Sequence, residues 1–185
     1  MKKYIVTFII VFIGYLVSDS IYKEMTKDKT PGKAKRLPCQ KKVTTFERSF
    51  SDADVKYIQS LIEHGSMDFT SFTEPAKYAK SELFDYISLE DMDKQFALFL
   101  RSYVKYNENN KNGYQLSYYI YENDKNDPGK KTEKSKLYAG YVVLEVKNKE
   151  NKSIYKVQVD FMDKKGGDVI NTMKCALKSL MTYKK

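Results

Sequence analysis

His64 is the single histidine of this 185-residue chain, and Cys39 and Cys175 are its two cysteines. These three side chains bound the chemistry on offer. A serine or cysteine nucleophile needs a base beside it. With one histidine and no Gly-x-Ser-x-Gly segment, the sequence gives no support for a triad. The same count excludes a zinc site built on imidazoles, and two distant thiols do not make a metal site. No cofactor is expected. His64 precedes Gly65 at the expected end of a helix, where an imidazole favours the negative pole of the helix dipole.

In an exported protein two cysteines are commonly joined, and a Cys39–Cys175 disulfide is the expectation. It would staple the entry segment to the last helix. Closing so long a loop is worth about 3–5 kcal/mol in the entropic account. At about 100° per residue, Cys175 falls roughly opposite the centre of the apolar stripe Val169, Met173, Ala176, Leu177 and Leu180.

Carboxylate-pair chemistry, as in glycoside hydrolysis, is open to any two of the 24 acidic residues that meet in space. Glu90, Asp91 and Asp93 cluster, but capping and the helix dipole explain acids at a helix start. Lys164-Lys165-Gly166-Gly167 precedes a helix and offers backbone N–H groups to an anion. It lacks the Lys-Ser/Thr of a P-loop and the spacing of Gly-x-Gly-x-x-Gly. A turn with an N-cap is the simpler reading. Asn151-Lys152-Ser153 is a glycosylation sequon, relevant only in a eukaryotic secretory route. Tyr118, Tyr119, Tyr121, Tyr138, Tyr141 and Tyr155 crowd one region. On an exposed sheet face such rings stack on bases or sugars; more often they pack under helices with their hydroxyls wet.

The elements that must position these groups are read from periodicity and punctuation. Ser51-x-x-Asp54 is a capping box ahead of Val55, Ile58 and Ile62, which share a helical face up to His64-Gly65. Thr73-Glu74-Pro75 reads as the start of a second helix carrying Tyr78, Leu83, Phe84 and Ile87. Ser88-x-x-Asp91 opens a third, with Met92, Phe96, Phe99, Leu100 and Tyr103 as its stripe. Residues 107–113 form a turn. Strands are expected over 114–121, 137–147 and 153–161, the last two as a hairpin, with 122–136 as a charged loop. Residues from Val169 form the final helix. The expected fold is α+β: three helices, then a three-stranded antiparallel sheet, then a C-terminal helix packed on the sheet.

Residues 1–20 stand apart. Met1-Lys2-Lys3 is followed by fourteen uncharged residues, Tyr4 to Val17, and then Ser18-Asp19-Ser20. The pattern fits a signal peptide or an N-terminal membrane anchor, since a spanning helix usually needs about 20 apolar residues. Residues 21–42 read as a basic linker broken by Pro31-Gly32 and Pro38, and 43–185 as a single domain. Residues 1–42 hold ten basic and three acidic side chains, a net of +7, whereas the rest hold 23 and 21, a net of +2. The excess charge therefore sits next to the apolar segment. Lys33, Lys35, Arg36, Lys41 and Lys42 are the candidates for contact with an anionic lipid or polymer. Arginine, the usual residue for bidentate phosphate and base contacts, numbers three against thirty lysines, which argues against nucleic acid.

These features point to an extracytoplasmic or membrane-anchored envelope protein, non-enzymatic, that binds another envelope protein as an assembly subunit, inhibitor or immunity-type partner. Two alternatives stand beside it: membrane-surface or polyanion binding through residues 23–42, and hydrolysis of an envelope polymer by a carboxylate pair. The basic linker conflicts with export under the positive-inside rule, and the inverted arrangement would put the domain in the cytoplasm.

Overall fold

The computed structural model describes residues 36–41, 43–106, 108, 113–130 and 132–184. The expected membrane segment lies outside the described residues, as do Lys33, Lys35 and Lys42. From Arg36 to Lys184 the chain forms one compact unit. Its elements run β1 (Thr45–Ser49), α1 (Asp52–Glu63), β2 (Phe69–Glu74), α2 (Leu89–Arg101), β3 (Gln115–Glu122), β4 (Gly140–Lys147), β5 (Ser153–Phe161) and α3 (Val169–Thr182). The five strands form one sheet in the order β1-β5-β4-β3-β2. β2 pairs with β3 in parallel, and every other pairing is antiparallel.

This overturns the expected order. Among the described residues the sheet is mixed and five-stranded, the helices number three, and strands separate most of them. The two strands absent from the sequence reading, β1 and β2, are the two edges. Each is short, and each puts polar side chains on both faces: Thr45, Glu47 and Ser49 on one side of β1 with Arg48 on the other, and Thr70 and Glu74 on one side of β2 with Ser71 and Thr73 on the other. Such strands carry little of the alternation that marks a half-buried strand. Pro75 reads as a first-turn proline but in fact comes just after the end of β2, where a residue without an N–H costs the ladder nothing. Leu83–Asp85 is only a 3-10 turn, within a segment that is otherwise not helical.

The helices cover one face of the sheet. Leu116, Tyr118 and Ile120 of β3, Val142, Leu144 and Val146 of β4, and Tyr155, Val157, Val159 and Phe161 of β5 are buried. They join Val55, Ile58 and Ile62 of α1, Met92, Phe96 and Leu100 of α2, and Met173, Ala176, Leu177 and Leu180 of α3 in a single core. α3 lies across β4 and β5 and touches both other helices. Each fully buried aliphatic or aromatic side chain contributes about 1.5–3 kcal/mol. Ser51 and Ser88 cap α1 and α2, accepting from the N–H of Asp54 and Asp91. α1 ends in a Schellman turn: Ser66 N–H donates to Leu61 O and Gly65 N–H to Ile62 O. Gly65 takes the positive φ, 72°, that this turn requires. Gly140 serves a different need. A Cβ there would sit 2.2 Å from the Tyr121 carbonyl oxygen and 2.3 Å from the Phe161 ring, so only glycine lets β3, β4 and the Phe161 side chain close up.

The first described residues are tied to α3 twice. Cys39 and Cys175 are joined by a disulfide with Cα atoms 6.0 Å apart, closing a sequence separation of 136 residues. Beside it, Gln40 donates from Nε2 to Ser179 Oγ at 2.5 Å and accepts from Leu37 N–H through Oε1 at 2.8 Å. Ser179 in turn donates to Glu47 of β1 at 3.0 Å, and the Tyr155 hydroxyl donates to the same carboxylate. The wheel position of Cys175 is misleading: it is 4 % exposed. α3 is buried on more than its sheet side, because the 36–41 segment covers the flank that carries Cys175 and Ser179. With Cys39 and Cys175 both replaced by Ser, the entropic account predicts a loss of about 5 kcal/mol for a loop of this length. Chemical denaturation of the oxidised protein against the double variant measures it, and equal midpoints would show that the bridge contributes nothing.

Candidate functional site

β2 and β3 end side by side, with Glu74 opposite Tyr121, one residue before Glu122. Two carboxylates organise the segments that leave these strand ends. Glu122 is on the helix-facing side of β3, in step with the buried Leu116, Tyr118 and Ile120. It is 8 % exposed, and no described lysine or arginine pairs with it. Its Oε1 accepts from the N–H groups of Glu82 and Leu83 at 2.9 and 3.0 Å, and its Oε2 from Ala76 at 3.1 Å. Asp124 is 3 % exposed. It accepts from the N–H groups of Lys77 and Tyr78 at 2.6 and 2.5 Å, and from Asn126 at 3.2 Å. Burial alone would raise both carboxyls. The Ser81 hydroxyl and the loop N–H groups more than offset it for Glu122, as the backbone donors do for Asp124, and both are held below the ordinary carboxylate range. Residues 75–83 are thus laced to the end of β3 by charge-assisted hydrogen bonds.

Lys130 closes the other side. Its ammonium donates to the Tyr121 hydroxyl at 3.1 Å, to Asp124 O at 2.9 Å and to Asn123 Oδ1, and it lies 5.2 Å from the centre of the Tyr121 ring. Asn123 Nδ2 donates to Tyr138 O at 2.8 Å. Between the two loops lies a cavity of about 320 Å³, open on one side, reached by Lys80, Lys125 and Lys164.

The second feature is the sheet face that no described helix covers. Phe72, Tyr119, Tyr141, Tyr121 and Tyr138 run across it from β2 to β4. Phe72 stacks on Tyr119 with centroids 4.8 Å apart, and Tyr121 stacks on Tyr141 at 4.4 Å. Tyr119 and Tyr138 meet Tyr141 at 6.3 and 6.2 Å at steeper angles. The stacked rings give their faces to one another. That leaves few free faces for bases or sugars, which need a flat ring. Burial pushes the hydroxyls of Tyr119, Tyr138 and Tyr141 up, so they remain neutral donors. Under this row Val143 is 1 % exposed, and Asp160 is buried with its carboxyl pushed up by desolvation. Toward β1 the face ends in Phe46, 64 % exposed, with Arg48, Lys156 and Gln158 around an open hollow of about 560 Å³. Arg48 stands 4.6 Å from the centre of the Phe50 ring.

The residues singled out in the sequence fall in different places. Tyr118 and Tyr155 pack under the helices and donate to Asp93 and Glu47, whereas the other four crowd the uncovered face. His64 caps α1: its Nδ1 lies 2.7 Å from the Ser60 carbonyl oxygen, which can only accept. Nδ1 therefore carries the proton, and the Ser60 hydroxyl at 3.4 Å has no base there. Asp163 and Asp168 fill the Lys164–Gly167 turn, accepting from Lys165, Gly167, Met162 and Asp163 N–H groups, so that cradle already holds its own carboxylates. Asn151 takes a positive φ of 60° in the β4–β5 turn. Arg36 and Lys41 are exposed on either side of Cys39. Among the described residues no group of three or more His, Cys, Asp or Glu could hold a metal ion, and no helix is long and apolar enough to cross a membrane. Sequence reasoning missed Glu122 and Asp124 by assigning both to a charged loop. The available signal was phase: Glu122 continues the apolar face of β3 by two residues.

No protein-family model matches the chain, and no curated protein matches it in sequence. Among solved structures it is similar to a chain of a dodecamer of a PelC point variant from Paraburkholderia phytofirmans. That likeness is 13 % identical over 77 % of this chain and 99 % of the other, with a TM-score of 0.40. A score at that level carries no argument about function. The disulfide points to an oxidising, extracytoplasmic compartment.

The carboxylate lacing yields a pH dependence. A carboxyl held below its ordinary value stabilises the fold above that value and loses the effect as pH falls through its folded value. Hydrogen-exchange protection of the Ala76, Lys77, Tyr78, Glu82 and Leu83 amides is expected at pH 7 and is lost as pH drops below about 4. Glu122→Gln should expose the Ala76, Glu82 and Leu83 amides at neutral pH and cost about 1.5–3 kcal/mol. Unchanged protection in that variant would show that the carboxylate does not hold the loop.

Proposed function

We propose that this chain is a non-enzymatic extracytoplasmic protein that docks another protein on the open face of its sheet, as an assembly subunit, inhibitor or immunity-type partner. The observation that carries the reading is a sheet with all described helices on one side and an aromatic, partly cationic surface on the other. Phe46 and Phe72 are 64 % and 45 % exposed there, at opposite edges of the face. Aromatic and arginine side chains are what binding surfaces concentrate, and charged rims set orientation. The chemistry around Phe46, Arg48 and Lys156 suits a partner that presents an apolar side chain flanked by carboxylates. Residues 1–20 deliver the domain to the envelope, as a cleaved signal or a retained anchor. Hydrolysis by a carboxylate pair has less support. The buried acid of the cavity, Glu122, has both oxygens committed to loop N–H groups and is held ionised, which suits neither a proton donor nor a free base.

The test is capture from solubilised envelopes by the wild type and by Phe46→Ser/Phe72→Ser, with circular dichroism confirming both folded. A stoichiometric partner retained by the wild type and weakened at least about tenfold by the variant, roughly 1.4 kcal/mol, is expected. Equal capture by both would sink the docking face.

A second reading rests on the disulfide. It fixes Arg36 and Lys41, both exposed, to the helix that bears the exposed Lys174 and Lys178. Basic side chains near an anionic membrane are worth about 1 kcal/mol each. Replacing Lys33, Lys35, Arg36, Lys41 and Lys42 with Gln should abolish salt-sensitive binding to anionic liposomes. Binding that persists unchanged removes this reading.

A further inference from the structure

We propose that the cavity at the carboxyl ends of β2 and β3 is a binding site for a small organic carboxylate, with the acid group at Lys80, Lys125 and Lys164 and a short apolar body over Ala76, Ala79, Ala139 and Leu83. The first support is position. β2 and β3 are the only parallel pair in the sheet of the described residues, so the segments after them leave from the same edge. The cavity lies between these departing segments, with Ala76, Ala79 and Lys80 on one side and Asn123, Lys125 and Asn126 on the other.

The second support is charge. The three lysines come from three different segments, after β2, after β3 and after β5. None is in an ion pair among the described residues. Against them stand two carboxylates. Glu82 is exposed, and Glu122 has both oxygens turned to the N–H groups of Ala76, Glu82 and Leu83. The three lysines thus line a space whose buried acid is already satisfied by backbone donors.

The third support is the floor. Three alanines and the fully buried Leu83 give an apolar base with little bulk, in a volume of about 320 Å³. That is the small end of the range for ligand sites, which pair an apolar lining with a few convergent polar groups. Lysine rather than arginine at the mouth suits a point contact to one acid group more than a bidentate clamp on phosphate. The site is separate from the proposed docking face, and either can fail alone.

The experiment is a titration of the full chain with sodium hexanoate, followed by amide chemical shifts and calorimetry. Hexanamide and inorganic phosphate are the two controls. Saturable hexanoate binding is expected, with shifts confined to residues 76–83, 123–126 and 164, and weakened by added salt. Lys80→Ala/Lys125→Ala/Lys164→Ala should weaken it at least about tenfold, as should Ala79→Leu, which fills the floor without touching charge. Hexanamide binding as tightly as hexanoate would overturn the role of the lysines. Phosphate binding with hexanoate excluded would overturn the apolar floor. Absence of binding by hexanoate, or binding that both variants retain, would overturn the site.

Discussion

Parallel pairing of β2 with β3 is the constraint on which the rest of the architecture depends. Antiparallel neighbours can be joined by a tight turn, but parallel neighbours cannot, so the chain must leave the sheet and return from the opposite end. Residues 75–114 make that journey. The return path contains α2, which lands on the helix-covered face and brings Phe96 to 4.8 Å from Phe69 and 4.7 Å from Tyr118, ring centre to ring centre. The outward path is the 75–83 segment, which has no regular element until the short turn at Leu83. Its N–H groups would be orphaned against the sheet edge without acceptors. Glu122 and Asp124 supply those acceptors. The cavity is what remains between a loop held this way and the segment after β3.

At the far edge the problem is different. β1 is a five-residue edge strand that turns Glu47 inward, toward the helices, where a charge is costly unless satisfied. Two hydroxyls satisfy it, from Tyr155 and Ser179, and Gln40 extends the chain of hydrogen bonds to the first described segment. An inward charge on an edge strand also discourages pairing with a foreign strand. The polar thread therefore does two things at once: it seats β1 against α3 and guards the edge. The open face is covered in part by its own aromatics, which is why Val143 is buried on the side that has no helices.

Much of this was legible in the sequence where one physical signal dominated. The serine caps at Ser51 and Ser88, the glycine stop at Gly65 and the alternation through β4 and β5 each express a local preference that tertiary structure did not contest. The edges were not legible, because a strand paired on one side only, with polar side chains on both faces, has no periodic signature. The expected second helix rested on Pro75 and on apolar residues that pack individually, Leu83 and Ile87 among them, without forming a turn-by-turn stripe. Glu122 was hidden for a related reason. Its partners are backbone N–H groups from a segment some forty residues away, and backbone donors leave no mark in a sequence. The tyrosines were ambiguous because the six belong to two faces, and which face each takes depends on strand phase.

The disulfide also sets the load path of the molecule. Tension on the chain ahead of Arg36 enters the domain at Cys39 and crosses directly into α3 at Cys175, ahead of any strand. β1, only six residues further on, would otherwise be peeled from β5 one rung at a time. With the bridge in place β1 is shielded, and the pull is borne by the helix that lies across the centre of the sheet. Reduction would reverse this, turning an anchored attachment point into a zipper that opens from the edge.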